Sequence, residues 1–126
     1  MDNSMQLRRK MQKDLNRLVI QLDNLNPQEC PCGETRRAFF NIPNAVTSVH
    51  IVNIKQDAEA HYHKKTTEIY VVLEGEGYIE MDNQLIPIKP LTAIYIPPMV
   101  RHRAVGNLKL LNIPIPPFDP SDEWFD

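Results

Sequence analysis

The segment HYHKKTTE, residues 61–68, brings together side chains that bind metal ions. It holds two of the four histidines of the chain, His61 and His63, followed by the carboxylate of Glu68. Because side chains two residues apart on a strand point to the same face, both imidazoles project together while Tyr62 turns away. The polar run KKTT favours a turn, after which Glu68 can face the two imidazoles across a hairpin.

A third histidine, His102, follows Pro97 and Pro98, which end one predicted strand before another begins. Three imidazoles and one carboxylate form a donor set suited to Fe, Mn, Ni, Co, Cu or Zn. Four protein ligands would leave one or two positions open on a five- or six-coordinate ion, as catalysis requires. We therefore predict one divalent transition metal. The alternative is a polar surface that binds nothing.

Short β-rich runs separated by turn residues follow residue 33. The candidate strands are Arg36–Asn41, Val46–Ile54, His61–His63, Ile69–Leu73, Gly77–Met81, Gln84–Ile88, Ala93–Ile96, His102–Val105 and Lys109–Ile113. Eight or nine short strands at spacings of about 8–12 residues, without helices between them, predict an antiparallel sandwich or barrel over residues 33–113.

The two ends of the chain differ from this β-rich part. Apolar residues recur at helical spacing over residues 4–25, which predicts an amphipathic α-helix within residues 1–27. Its stripe consists of Leu7, Met11, Leu15, Leu18, Leu22 and Leu25. We expect the helix to pack outside the barrel or at a subunit interface. Residues 114–126 are rich in proline and acidic residues, which predicts an extended arm over the surface.

Cys30 and Cys32 lie in the segment CPCGE. A single intervening residue would make a strained disulfide ring, and two thiolates are too few for a zinc site of four ligands. We therefore expect two reduced thiols in a turn made by Pro31 and Gly33. A redox role is the alternative.

The composition excludes several classes of protein. A chain of 126 residues with 42% hydrophobic and 24% charged residues has the size and balance of one soluble globular domain. Its net charge of −2 provides no basic excess for nucleic acid. No apolar run approaches the roughly 20 residues that span a bilayer. Charged residues interrupt the N-terminal segment, unlike a secretory signal, so we expect a cytoplasmic protein.

Taken together, these residues resemble the cupin superfamily, as a small single-domain member. HYHKKTTEIYVVLEG resembles the first cupin motif, H-x-H followed by E and then G, with His61, His63 and Glu68 at the ligand positions. PPMVRH resembles the second motif, P-x-G-x-x-H, with His102 in register. The resemblance covers residues 46–118. It implies a double-stranded β-helix, or jelly-roll, barrel whose divalent metal is held by these four side chains.

The chain departs from the cupin pattern at several glycine positions. Lys55, Leu91 and Met99 stand where the two motifs have glycine, and Gly106 stands where the second motif has asparagine. Because those glycines serve turns with unusual backbone angles, we expect the turns to be built differently here. All four ligand types are retained.

Strand alternation also selects residues near the site. Tyr70 has the parity of Glu68, so it is our candidate for a pocket-lining phenol, with plain core packing as the alternative. His50 has the parity of Val52 and Ile54. A satisfied core histidine is the simpler interpretation there, and a substrate-facing role is the other.

The outer face of the same strand predicts a partner. On the predicted strand Ile69–Leu73, the side chains of Ile69, Val71 and Leu73 would form an apolar outer face. We expect the N-terminal stripe or a second copy of the chain to cover this face. We therefore expect a homodimer, with no nucleic-acid or membrane partner.

An open-site metal favours a small-molecule metalloenzyme. The metal could activate O2 in a dioxygenase, or polarise a carbonyl in an isomerase or decarboxylase. The sequence shows no separate, obvious base. The alternatives are a module that binds or senses a small ligand without turnover, and a purely structural metal. The fold does not choose among them.

Overall fold

The computed structural model of the chain describes residues 3–6, 15–55 and 58–126. These residues form nine strands, and the bounds predicted for β5, β6 and β7 are confirmed at both ends. The strands are β1 (Gln28–Cys30), β2 (Gly33–Ala38), β3 (Val49–Ile54), β4 (Thr67–Glu74), β5 (Gly77–Met81), β6 (Gln84–Ile88), β7 (Ala93–Ile96), β8 (His102–Gly106) and β9 (Leu108–Ile115). The segment 61–63, predicted as a strand, makes only isolated bridges.

The strands form two antiparallel sheets. Six strands pair in the order β1-β2-β3-β9-β4-β7, and three pair in the order β6-β5-β8. Strands β3, β4 and β9 bury every second side chain, as expected of strands with one face toward a core. The core contains Val52, Ile54, Tyr70, Val72, Ile79, Ile88, Ile94, Ile96, Ala104, Leu108 and Leu110. The predicted mainly β barrel of antiparallel strands is confirmed.

The predicted N-terminal helix is wrong for residues 15–25. Residues 3–6 are helical, but Leu15–Leu18 and Leu22–Asn24 form short 3-10 turns, and residues 7–14 of the predicted stripe lie outside the described residues. Helices are stable mainly when packing buries their apolar face. Here Leu15 of the predicted stripe is 54% exposed, and Leu22–Asn24 packs against β2 and β3 as a single 3-10 turn. No helical segment in the described ranges is long and apolar enough to cross a bilayer.

The expectation of two reduced thiols is also wrong, because Cys30 and Cys32 are joined by a disulfide. They close the turn of the β1–β2 hairpin, in which Cys30 pairs with Gly33. The tight turn brings the two Cα atoms to 5.2 Å, inside the usual range for a disulfide, although only one residue separates them.

Two turns keep a glycine-like backbone without glycine. Leu91 and Met99 have φ angles of 72° and 71°, so the expectation of differently built turns is wrong there. The left-handed conformation costs about 1–2 kcal/mol for an ordinary residue. Backbone hydrogen bonds help to hold it, from Leu91 N–H to Val72 O and from Met99 N–H to His63 O. At Gly75 the motif glycine is required, because a Cβ would lie 2.2 Å from a backbone oxygen.

The outer face of β4 carries apolar side chains. Ile69 and Val71 are half-buried, and Leu73 is 36% exposed. On the neighbouring strand β7, Tyr95 is 65% exposed. The homodimer expected from this face stays a prediction.

The C-terminal arm is fastened to the loop 64–66 by one buried carboxylate. Asp122 accepts hydrogen bonds from the backbone N–H groups of Lys64, Lys65 and Thr66, at 3.0, 3.0 and 3.2 Å. Burial acts to raise the pKa of Asp122, but the Lys64 and Lys65 N–H groups outweigh it and lower the pKa to about 2. The backbone of Trp124 also bridges that of Tyr62 in both directions. This clasp places the arm beside the segment 61–63.

We expect Asp122→Asn to lower the free energy of unfolding by about 1–3 kcal/mol, since buried N–H groups lose a charged acceptor. The pKa of Asp122 is lowered from 3.8 to about 2, so its contribution is present above pH 4 and lost as the pH falls toward 2. Urea unfolding at pH 7 and pH 3 measures both effects. Asp126→Asn, in the exposed part of the same arm, is the control, and an equal loss in the two variants would contradict the clasp.

Candidate metal centre

The four predicted ligands come together in the structure. One donor atom from each of His61, His63, Glu68 and His102 lies within 4.8 Å of the others. Glu68 comes from β4 and His102 from the start of β8. A two-way backbone bridge between His61 and His102, with N···O distances of 3.0 and 2.8 Å, brings their ring centroids to 4.5 Å.

Backbone carbonyls set the tautomer of two of the histidines. His61 Nδ1 lies 3.1 Å from Glu59 O, and His102 Nδ1 lies 2.9 Å from Val100 O. A carbonyl can only accept, so each Nδ1 carries the proton and donates. In the neutral rings the lone pair is then on Nε2, the usual arrangement in metal-binding histidines.

Glu68 is the centre of the cluster and is only 3% exposed. Its Oε1 lies 3.0 Å from His102 Nε2 and 3.2 Å from His63 Nδ1, and its Oε2 accepts a hydrogen bond of 2.8 Å from Asn112. Since a neutral His102 has already placed its proton on Nδ1, Nε2 and Oε1 are both acceptors. Their contact requires a proton or a cation between them.

These contacts fit a metal ion. Metal–ligand bonds of about 2.1 Å at right angles place two ligands about 3.0 Å apart, as Glu68 and His102 are. The donor set is three imidazoles and one carboxylate, which suits a divalent ion of borderline hardness. We infer that His61, His63, Glu68 and His102 would hold such an ion. The donor set leaves its identity open among Fe, Mn, Ni, Co, Cu and Zn.

The electrostatics favour ligands in their binding forms. Burial, and next the neighbouring His102, lower the pKa of His61, and burial also lowers the pKa of His63 despite the nearby Glu68. Burial acts to raise the pKa of Glu68, but His102, His63 and Asn112 outweigh it and bring the pKa below its ordinary value. The lowered pKa values favour neutral imidazoles at His61 and His63 and an ionised carboxylate at Glu68 near neutral pH.

Tyr70 and His50 both line a cavity next to the cluster. The volume of this cavity is about 80 Å³. Burial, and next Glu68, raise the pKa of Tyr70 well above its ordinary range, so it stays a phenol. Burial and then the charge of Arg37 lower the pKa of His50 to about 4, so its imidazole is neutral. His50 Nε2 lies 2.7 Å from Ser48 Oγ.

Sequence reasoning missed three charged residues of the cavity wall, Glu59, Glu123 and Arg37. Glu123 Oε1 lies 3.6 Å from His61 Nε2. The acidic arm was recognised in the sequence, but only the Asp122 clasp selects which of its carboxylates reaches the site. Arg37 lies on β2 opposite His50. Strand alternation places Arg37 on the same face of β2 as Thr35, but it does not reveal that this face lies in the same cavity as the metal cluster.

Comparison with known proteins identifies a common domain. A sequence model described as the cupin domain matches residues 49–113. An uncharacterised protein of Methanocaldococcus jannaschii is 37% identical over 115 residues, covering 83% of this chain and 91% of that protein. A crystal structure of a protein from Planctomyces limnophilus is 45% identical, with a TM-score of 0.79, and the match covers 85% of this chain and 95% of the other.

One relative with an assigned activity is a glucose-6-phosphate isomerase of Pyrococcus abyssi, 33% identical over 75 residues. The match covers 52% of this chain and 40% of that enzyme. The likeness therefore extends over the shared domain and not over the whole of the isomerase.

We expect Glu68→Gln to weaken metal binding by more than about 100-fold, because even the outer partners of ligands contribute about 10- to 100-fold. The double variant with His61→Ala and His63→Ala should hold no metal. Metal content per chain, measured by mass spectrometry after dialysis, reports both. The control is Glu74→Gln, an exposed carboxylate on the same strand. Full occupancy in the double variant would overturn the site.

Metal should also be released in acid, because a protonated imidazole cannot bind it. The pKa values of His61 and His63 are lowered from 6.5, so protons compete with the metal only below that pH. We expect full occupancy at pH 7 and progressive loss as the pH falls below about 6.5. Dialysis over a pH series followed by metal analysis measures the curve. Retention unchanged in strong acid would contradict histidine ligation.

Proposed function

The chain belongs to the cupin family, and on that basis we propose that it is a metal-dependent enzyme that moves a proton within a small carbonyl substrate. This is the isomerase class of the two enzyme classes that the sequence left open. One observation carries the choice: a second carboxylate, Glu123, enters the cavity beside the metal cluster, 3.6 Å from His61 Nε2. Oxygen activation would not need such a group.

When bound, a divalent ion supplies a Lewis acid that polarises a substrate oxygen and acidifies the neighbouring C–H bond. Glu123 is the candidate base that accepts the proton from the carbon next to the carbonyl and returns it to the carbonyl carbon. The proton of a hydroxyl on the first carbon passes to the former carbonyl oxygen, so that no atom or electron is gained or lost overall. His61 faces Glu123 with Nε2, which carries no proton in the neutral ring. Glu123 is therefore free to exchange a proton with the substrate.

Other cavity residues hold the substrate dry and in place. Tyr70 stays protonated, so it can donate a hydrogen bond but does not compete as a base. His50 is neutral and lies between the rings of Phe40 and Phe118, with centroid distances of 5.5 and 5.6 Å. The clasp at Asp122 holds the neighbouring Glu123 over the cavity. These groups orient the substrate or exclude water, and none of them takes part in making or breaking bonds.

Isomerisation is also the activity in the name of the Pyrococcus abyssi relative, although this chain covers only 40% of that enzyme. That likeness supports the reaction class and carries no information on the substrate. The competing functions are a dioxygenase and a ligand-binding module without turnover. Exchange of a carbon-bound proton with the solvent distinguishes the proposed isomerase from both of these functions.

We expect the metal-loaded protein to exchange carbon-bound protons of a small carbonyl compound for deuterium in D2O, as seen by proton NMR. Glu123→Gln should slow exchange by about 100-fold or more, because a positioned base contributes about 10²- to 10⁴-fold. Its metal content should be unchanged, since Glu123 is outside the ligand set.

Glu74→Gln is the matched control and should exchange at the rate of the unaltered protein. Oxygen consumption without deuterium exchange, over a panel of small aldehydes, ketones and oxo acids, would favour the dioxygenase. Ligand binding with neither signal would favour the binding module. Either result would overturn the proposal.

A further inference from the structure

Three buried polar atoms among the described residues lack a hydrogen-bond partner, and all three belong to residues that line the metal cavity. They are Thr35 Oγ1, Arg37 Nε and Asn112 Oδ1. Thr35 is 2% exposed and Asn112 8% exposed. Leaving such atoms unpaired is costly, and native proteins rarely do so without a ligand or water at the position. Their common wall therefore belongs to a binding site.

These residues are aligned by strand register. Arg37 on β2 lies opposite His50 on β3, which lies opposite Asn112 on β9, which lies opposite Tyr70 on β4. Asn112 also donates to Glu68 of the metal cluster. A polar row thus crosses the cavity from the metal cluster to Arg37. Adjacent strands are about 4.8 Å apart, so the backbones of β2 and β9 are separated by about 10 Å.

Arg37 is oriented so that an edge of its guanidinium remains available. The guanidinium carbon lies over the ring of Phe118, 4.4 Å from the ring centroid. Nη1 makes a long contact of 3.4 Å to Gln28 on the exposed side. Nε is buried and unpartnered. No ion pair among the described residues includes Arg37, so its charge is not neutralised by a side chain within 4 Å.

We propose that Arg37, assisted by the Thr35 hydroxyl, binds the carboxylate of a small oxo or hydroxy acid whose other oxygen faces the metal cluster. This inference rests on the proposed function, for which it names the substrate class. The edge of a guanidinium presents parallel N–H donors that match a planar carboxylate. The Asn112 amide lies between the two ends of the row and can contact the middle of the ligand.

Charge and volume favour a carboxylate over a phosphate. The cavity wall carries three carboxylates, Glu59, Glu68 and Glu123, and one cation, Arg37, and a bound divalent ion would bring these charges close to balance. A phosphate dianion would then leave an excess of two negative charges in the cavity, whereas a carboxylate leaves one. The volume of about 80 Å³ corresponds to about five to eight water positions, which suits an acid of three to five carbons.

The test is isothermal titration calorimetry on the zinc-loaded protein with acetate, pyruvate and 4-oxopentanoate. The last two are also tested as their uncharged methyl esters, and inorganic phosphate is included. We expect at least one oxo acid to bind, and its ester to bind at least about tenfold more weakly. Arg37→Gln should weaken binding of the acid by about 10- to 100-fold and leave the ester unchanged, because a charged hydrogen-bonded pair is lost.

Arg37→Lys keeps the charge but loses the planar edge, so its binding should lie between those of Arg37→Gln and the unaltered protein. It also serves if Arg37→Gln fails to fold. The control is Arg103→Gln, which removes an arginine that pairs with Glu80 outside the cavity. Equal affinity for acid and ester, tighter binding of phosphate, or equal loss in the control variant would overturn the inference.

The metal content of every variant is measured in parallel. Carboxylate binding that depends on Arg37 without deuterium exchange would refute the proton-transfer function and keep the Arg37 site. Exchange that persists unchanged in Arg37→Gln and Arg37→Lys would refute the Arg37 site and keep the function.

Discussion

The site depends on one buried negative charge, the carboxylate of Glu68. An ionised group at 3% exposure is strongly unfavourable in a protein interior unless other groups compensate it. Here the Asn112 amide donates to one carboxylate oxygen, and the other lies within 3.2 Å of His63 Nδ1 and His102 Nε2, where a bound cation would balance the charge. Because backbone carbonyls fix the protons of His61 and His102 on Nδ1, the cluster presents lone pairs where positive charge is needed. Because Glu68 is buried from water, its attraction to a bound cation would be only weakly screened.

Much of the barrel could be predicted because its signals are local. Turn residues such as Asp82 and Asn83, both with positive φ, mark strand ends, and alternation assigns the face of each side chain. The spacing of His61, His63 and Glu68 is likewise a short-range signal. The N-terminal segment shows the converse. A helical stripe has meaning only with a surface to pack on, and the sequence does not reveal whether that surface exists.

The residues missed by sequence reasoning depend on contacts between distant parts of the chain. Arg37 meets the cavity through a strand register that runs from β2 through β3 to β9. Glu123 reaches it because Asp122, its neighbour, binds a loop more than fifty residues earlier in the chain. The disulfide in the β1–β2 hairpin depended on an exact turn geometry. Pairing of this kind is set by packing, and a single sequence carries little direct signal for it.

The turns at Leu91 and Met99 have a consequence for how such domains are recognised. Both residues adopt the left-handed angles for which glycine is favoured, and both side chains are exposed, at 85% and 62%. Glycine at these places is thus a preference of local energy, which the surrounding hydrogen bonds can override. The ligand positions are constrained differently, because donor atoms of all four side chains must meet within 4.8 Å of one another. Descriptions of this motif should therefore weight donor positions above glycine positions when they are used to detect divergent members.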